Sequence, residues 1–134
     1  MINFNLQPYE WRKDMSILMQ NVNLNKIEFN IDNSIIFKFI DSFKGEVCEN
    51  VECTNVWKFS IENNFEKGNA YPIFVCEVKV YKLSGIEIQD AFEYLSYGFG
   101  DIPKSKEYNL VCLDSGEICI ELICETIIVN KIDS

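Results

Sequence analysis

The stretch of sequence that decides the fold covers residues 109–129, Asn-Leu-Val-Cys-Leu-Asp-Ser-Gly-Glu-Ile-Cys-Ile-Glu-Leu-Ile-Cys-Glu-Thr-Ile-Ile-Val. Two apolar, β-branched runs flank the turn formers Asp114, Ser115 and Gly116, a pattern that is typical of a β-hairpin. We expect a three-residue turn with Gly116 in the left-handed conformation. That register would place five residues on one face of the hairpin: Leu110, Cys112, Ile118, Ile120 and Leu122. A two-residue turn would shift the pairing by one and mix the faces.

Alternation of apolar and polar residues predicts further strands before this hairpin. Residues 24–43 form a second hairpin around the turn sequence Asp32-Asn33-Ser34. A third strand region covers residues 47–62, with an apolar face made of Val51, Cys53, Trp57, Phe59 and Ile61. A fourth covers residues 71–83, with an apolar face made of Phe74, Cys76, Val78 and Val80. One apolar and one polar side is typical of antiparallel sheets.

Two segments have apolar residues at helical spacing. In residues 8–20 the apolar stripe consists of Trp11, Met15, Leu18 and Met19, and Pro8 suits the first position of a helix. This pattern predicts an N-terminal amphipathic helix that covers one face or edge of the sheet. In the second segment Ile88, Phe92 and Leu95 share a helical face and Gly98 suits a helix stop, which predicts a short helix over residues 89–97.

Together these elements predict one domain over residues 1–134. The fold class is α+β and mainly β, with about six antiparallel strands, an N-terminal helix and a short helix before the last hairpin. The alternation pattern leaves two arrangements of the sheet open, a sandwich and a curved half-barrel.

Composition and charge narrow the classes of partner. The chain has a net charge of −9, which repels phosphates, so we expect no nucleic-acid binding. No apolar run approaches the roughly 20 residues of a membrane-spanning helix, and the first residues lack a signal-peptide pattern. We therefore expect a cytoplasmic protein that does not bind membranes.

The residues that usually carry catalysis and metal binding are few. The sequence has no histidine, which removes the commonest general base and the Ser-His-Asp and Cys-His arrangements. Its six cysteines include no C-x-x-C pair, so we expect reduced thiols rather than a metal site. Cys112 and Cys119 lie near one another across the last hairpin, and a disulfide between them remains open. We therefore predict no cofactor, no metal and no enzymatic activity.

Two features of the C-terminal third could form a binding surface. Glu117, Glu121 and Glu125 lie on one face of the long strand, with neighbours four apart separated by about 13 Å. The loop before the hairpin adds a carboxylate and two aromatic residues, which suit an interface: Asp101, Tyr97 and Phe99. We predict these six residues as the partner-binding set, with Glu107 and Asp114 extending the acidic face. The alternatives are a solvated sheet face that prevents edge-to-edge pairing and a loop whose aromatics pack on the core.

The whole format resembles the small, acidic, β-rich immunity proteins of bacterial polymorphic-toxin systems: alternating strands, a short helix, acidic character and no catalytic set. The resemblance implies a protein that binds and blocks one toxin domain, often one with a basic cleft, and it assigns no role to a particular residue of this chain. An acidic face would suit such a basic partner. Two alternatives remain, a domain that binds a small molecule between sheet and helix, and a purely structural domain.

Overall fold

The computed structural model describes residues 14–41, 47–63, 73–95, 102–103, 106–115 and 118–131, which form six strands and one helix. The elements in chain order are β1 (Met15–Phe29), β2 (Ile35–Asp41), β3 (Val47–Asn63), β4 (Ile73–Leu83), α1 (Ile86–Tyr94), β5 (Tyr108–Asp114) and β6 (Ile118–Lys131). The mainly-β class, the six antiparallel strands and the short helix before the last hairpin are therefore confirmed.

The sheet closes into a barrel with the strand order β1-β2-β3-β6-β5-β4, in which β4 returns to pair with β1. Both the sandwich and the curved half-barrel are wrong, because β1 joins the two edges of the sheet. The first half of β1 pairs with β4, from Met15 opposite Tyr81, and its second half pairs with β2, up to Phe29 opposite Ile35. Alternation along one strand does not show that the strand has two different partners.

The predicted N-terminal helix is wrong over the part that the structure describes. Residues 15–20 belong to β1, while residues 8–13 lie outside the described residues. Ile17 lies opposite Lys79 and Met19 lies opposite Val78, so Leu18 is the extra residue of a β-bulge. The bulge turns both Leu18 and Met19 towards the barrel core, so two adjacent apolar residues share one side, as they do on the face of a helix, while Met15 is exposed.

A second bulge changes the face of Trp57 in β3. Asn55 has the left-handed φ of 52°, and the register shifts between Val56 and Lys58. As a result Val56 and Phe59 pack on the barrel core while Trp57 lies outside the barrel, so its predicted place on the inner face is wrong.

Strand β4 also changes face along its length. Phe74 and Cys76 are exposed and Val75 is buried, which contradicts the prediction for the first two, while Val78 and Val80 lie inside as predicted. Asn21, which lies in β1 beside this point, has a φ of 55°. The backbone of β1 is therefore irregular at the point where the face of β4 changes.

The last hairpin has a different register from the expected one. Asp114 lies opposite Cys119 and Leu113 opposite Ile120, and Ser115 donates its backbone N–H to the Ile118 carbonyl over 3.1 Å. This pairing differs from that of the predicted three-residue turn, so the predicted register is wrong; Gly116, for which the sequence predicts a left-handed conformation, lies outside the described residues. The inner residues are Val111, Leu113, Ile118, Ile120 and Leu122. The Ser115 hydroxyl also accepts the Ile118 N–H over 3.1 Å, which stabilises this closing pair.

Helix α1 covers one patch of the outer barrel wall and forms a second core there. Both ends of α1 lie three residues before those of the predicted range 89–97. The helix begins after Gly85, which has a φ of 59°. Ile88 and Phe92 are fully buried against the barrel. The rings of Trp57, Phe92 and Tyr108 meet edge to face, with centroids 5.5–5.9 Å apart. This aromatic cluster occupies the part of the space between sheet and helix that lies under Phe92.

Candidate recognition surface

Cross-strand pairing brings carboxylates from four strands together on the outer wall of the barrel. Near the turn of the last hairpin, one row runs from β4 to β3. Its members are Glu77, Asp114, Cys119 and Glu62, each opposite the next. The adjacent row consists of Lys79, Cys112, Glu121 and Ser60. We call Glu62, Glu77, Asp114 and Glu121 the acidic face; Lys79 is the basic residue among them.

The pKa of the Cys119 thiol reflects the negative charge of this surface. Partial burial, then the nearby carboxylates of Glu121, Asp114 and Glu62, raise the pKa of Cys119 to about 11. All these effects disfavour the thiolate, which would add a further negative charge. Three strands therefore supply carboxylates close enough to act on one atom.

Glu121 lies at the centre of the second row and is held by its neighbours. Its carboxylate accepts a hydrogen bond from the Tyr94 hydroxyl over 3.2 Å and one from the Cys112 Sγ over 3.6 Å. These contacts lie beside an outer pocket of about 220 Å³, whose lining also includes Tyr81 and Lys79. Helix α1 thus positions one carboxylate of the acidic face through Tyr94.

Glu125 lies on the same strand, but its surroundings differ from those of Glu121. Its carboxylate accepts the Trp57 indole N–H over 3.0 Å and pairs with the Lys106 ammonium over 3.4 Å. Its side chain is only 19% exposed. Ile123, which α1 buries, separates the two glutamates. Glu125 therefore stabilises the aromatic layer under the helix and does not extend the acidic face.

The six predicted partner-binding residues do not lie together in the part of the chain that the structure describes. The structure places Glu121 in the acidic face and Glu125 beside the aromatic cluster. The other four lie outside the described residues: Glu117, Asp101, Tyr97 and Phe99. Of the two additional acids, Asp114 belongs to the acidic face, and Glu107 lines a different pocket, together with Glu125.

Sequence reasoning missed Glu62 and Glu77 as members of this surface. Alternation put both residues on the polar side of their strands, which is where they lie. Their proximity to Asp114 and Glu121 follows from the strand order β3-β6-β5-β4. That order comes from long-range pairing, which no local pattern in the sequence encodes.

The thiols and carboxylates do not assemble a metal site among the described residues. No group of three or more Cys, Asp or Glu side chains there lies close enough to hold a metal ion. The cysteines that the structure describes carry free thiols: Cys53, Cys76, Cys112, Cys119 and Cys124. Burial, and then Glu121, raises the pKa of Cys112, so its thiol is a weak nucleophile at neutral pH.

The fold and the surface define a small, closed, six-stranded antiparallel β-barrel domain with one short helix and an acidic outer face. A family model described only as "-like" matches residues 17–131, so the chain belongs to that family. No curated protein matches the chain significantly. Within the described residues, the structure has no helix of the length and apolarity that crossing a membrane requires.

Among solved structures with a similar fold is an uncharacterized protein from Neisseria gonorrhoeae. The TM-score is 0.62 and the sequence identity is 21%, over 87% of this chain and 96% of the Neisseria chain. At this level of identity the likeness shows a shared fold and carries no activity over to this chain.

Proposed function

We propose that this chain is a non-enzymatic, cytoplasmic protein-binding module whose acidic face binds a basic partner. The observation that supports the proposal is the clustering of four carboxylates, from β3, β4, β5 and β6, in two adjacent cross-strand rows. Glu62 and Asp114 are exposed, and so can meet a partner without rearrangement.

The barrel makes this surface suitable for recognition. Glu77, Asp114 and Glu121 project from strand positions that are paired on both sides, and Glu62 projects from a part of β3 that is paired with β6. The spacing of the charges is therefore set by the barrel before binding. Carboxylates arranged in this way attract a basic surface, increase the association rate and select against acidic partners. The net charge of −9 adds a long-range field of the same sign.

The resemblance to immunity proteins suggests the class of partner. A toxin domain with a basic cleft would match the charge of the acidic face, and blocking that cleft requires no catalysis. The absence of histidine from the whole chain and the raised pKa of the Cys119 thiol agree with a non-catalytic role.

The test uses the purified protein as bait in a lysate of the source cell, at low and at high salt. A double variant, Glu62→Lys with Asp114→Lys, is compared with the wild type. Glu52→Lys on β3 is the matched control, because it reverses a charge outside the acidic face. A partner that is lost at high salt and with the double variant supports the proposal. A partner that the double variant retains as well as the control does contradicts it.

A further inference from the structure

The barrel has an apolar pocket at the end opposite to the turn of the last hairpin. It measures about 250 Å³ and we call it the mouth pocket. Its apolar walls come from Leu18, Val80, Ile127 and Val129. Ser16, Lys82 and Asn109 add polar groups to its lining.

The mouth pocket continues the interior of the barrel. Val80 is 5% exposed and belongs to the barrel core, and Leu18 and Ile127 pack against that core. Lys82 follows Val80 by two residues, so it lies on the same, inward side of β4. An apolar group that enters here would therefore extend an existing core instead of covering an outer face.

A second pocket of about 300 Å³ adjoins the mouth pocket and shares Lys82, Asn109 and Ile127 with it. Its remaining lining is mostly polar and includes the acidic residues Asp14, Glu107 and Glu125. Glu125 is already paired with Lys106, whereas Asp14 and Glu107 are exposed and line this pocket together with Lys82. Among the described residues at the polar end of the two pockets, acidic residues thus exceed basic ones, with Asp14, Glu107 and Glu125 against Lys82 and Lys106.

We propose that these adjoining pockets bind an aliphatic primary amine, with its hydrocarbon chain in the mouth pocket and its ammonium group near Asp14 and Glu107. A site with an apolar part and a few polar groups at one end is the usual form of a small-ligand site. The excess of carboxylates, within a chain of net charge −9, selects an ammonium head over a carboxylate head. This site is separate from the acidic face, so it would serve a second ligand.

The first experiment titrates the protein with octylamine, octanoate and octanol by calorimetry and by NMR of backbone amides. Octylamine should bind at least tenfold more tightly than the other two and shift the amides of Val80, Ile127 and Val129. Within the series from butylamine to hexylamine, each added methylene should tighten binding about fourfold, because each one is buried. Equal binding of octanoate or octanol, or no binding of octylamine, would overturn the proposal.

Two charge variants test the position of the ammonium group, and their expected effects have opposite signs. Glu107→Gln should weaken octylamine binding several-fold, and Lys82→Gln should strengthen it. Glu52→Gln removes a carboxylate that lies outside both the acidic face and the two pockets and should leave octylamine binding unchanged. Any other order of affinities would contradict the site. Partner binding at the acidic face is a separate measurement, so either proposal can fail alone.

Discussion

Trp57 donates its indole N–H to the carboxylate of Glu125 over 3.0 Å, which joins the bulge of β3 to the neighbouring strand β6. The bulge is what turns Trp57 out of the barrel, and the bond holds its ring against Phe92 of the helix. The bulge in β3 thus places Trp57 in the aromatic cluster against which α1 packs.

Glu125→Ala should destabilise the protein by about 1–3 kcal/mol, because it leaves the partly buried indole N–H of Trp57 without its acceptor. Glu125→Gln keeps an acceptor oxygen at the same position and should cost less. Urea unfolding of both variants measures the difference. Equal free energies of unfolding for the two would show that the charge, and not the hydrogen bond, carries the stabilisation.

Phe92→Ala should destabilise the protein by about 3–5 kcal/mol, because it removes a fully buried ring from the aromatic cluster. Ile86→Ala, also in α1, is the matched control: Ile86 is 75% exposed, and its truncation should change stability by less than about 0.5 kcal/mol. Thermal and urea unfolding measure both effects. Similar losses for the two variants would mean that the helix does not bury Phe92 as described.

The thiol of Cys119 should react slowly with iodoacetamide at neutral pH and faster as the pH rises towards about 11, because the thiolate is the reactive form. Asp114→Asn should lower the pKa of Cys119 and speed its alkylation at pH 8. Peptide mass spectrometry separates Cys119 from the exposed Cys76, which serves as an internal reference. An unchanged rate in the variant would show that Asp114 exerts no field at this thiol.

Glu28 should contribute to stability in a pH-dependent manner. Hydrogen bonds from the ammonium groups of Lys38 and then Lys26, 2.9 and 3.1 Å away, lower the pKa of Glu28 below its ordinary value of 4.5. Because the folded pKa is the lower one, the stabilisation is complete above the unfolded pKa and is lost as the pH falls through the folded pKa.

Glu28→Gln should therefore lower the melting temperature slightly at pH 6 and leave it unchanged near pH 2. Melting curves across this range measure the effect, with Glu52→Gln as a control on the neighbouring hairpin. A wild type and a Glu28→Gln variant whose melting temperatures differ equally at both pH values would refute the ion pairs as its cause.

The elements that depend only on neighbouring residues in the sequence, a turn and a helix, were predicted correctly. The Asp32-Asn33-Ser34 turn is confirmed: Asn33 adopts a φ of 65°, and the Ser34 hydroxyl donates to the Asp32 carboxylate over 2.6 Å. The short helix is also confirmed. It could be predicted because its apolar residues recur at helical spacing within only nine residues.

Bulges and long-range pairing explain what the sequence did not predict. Leu18 and Trp57 are each one extra residue in a strand, and an extra residue reverses the alternation on which a face prediction depends. At the last hairpin, both registers offered apolar residues to the core, and pairing across Ser115 and Ile118 selected one of them. For the candidate site, Glu121 was predictable from its own strand, whereas Glu62 and Glu77 needed the strand order.

The central claim, that the acidic face binds a basic partner, is tested most directly by the dissociation constant of the captured partner. Calorimetry at one fixed salt concentration compares the wild type, the Glu62→Lys, Asp114→Lys double variant and Glu52→Lys. We predict at least a tenfold weaker affinity for the double variant and an unchanged affinity for Glu52→Lys, with all three proteins equally stable. Equal affinities for the double variant and the wild type would contradict the account.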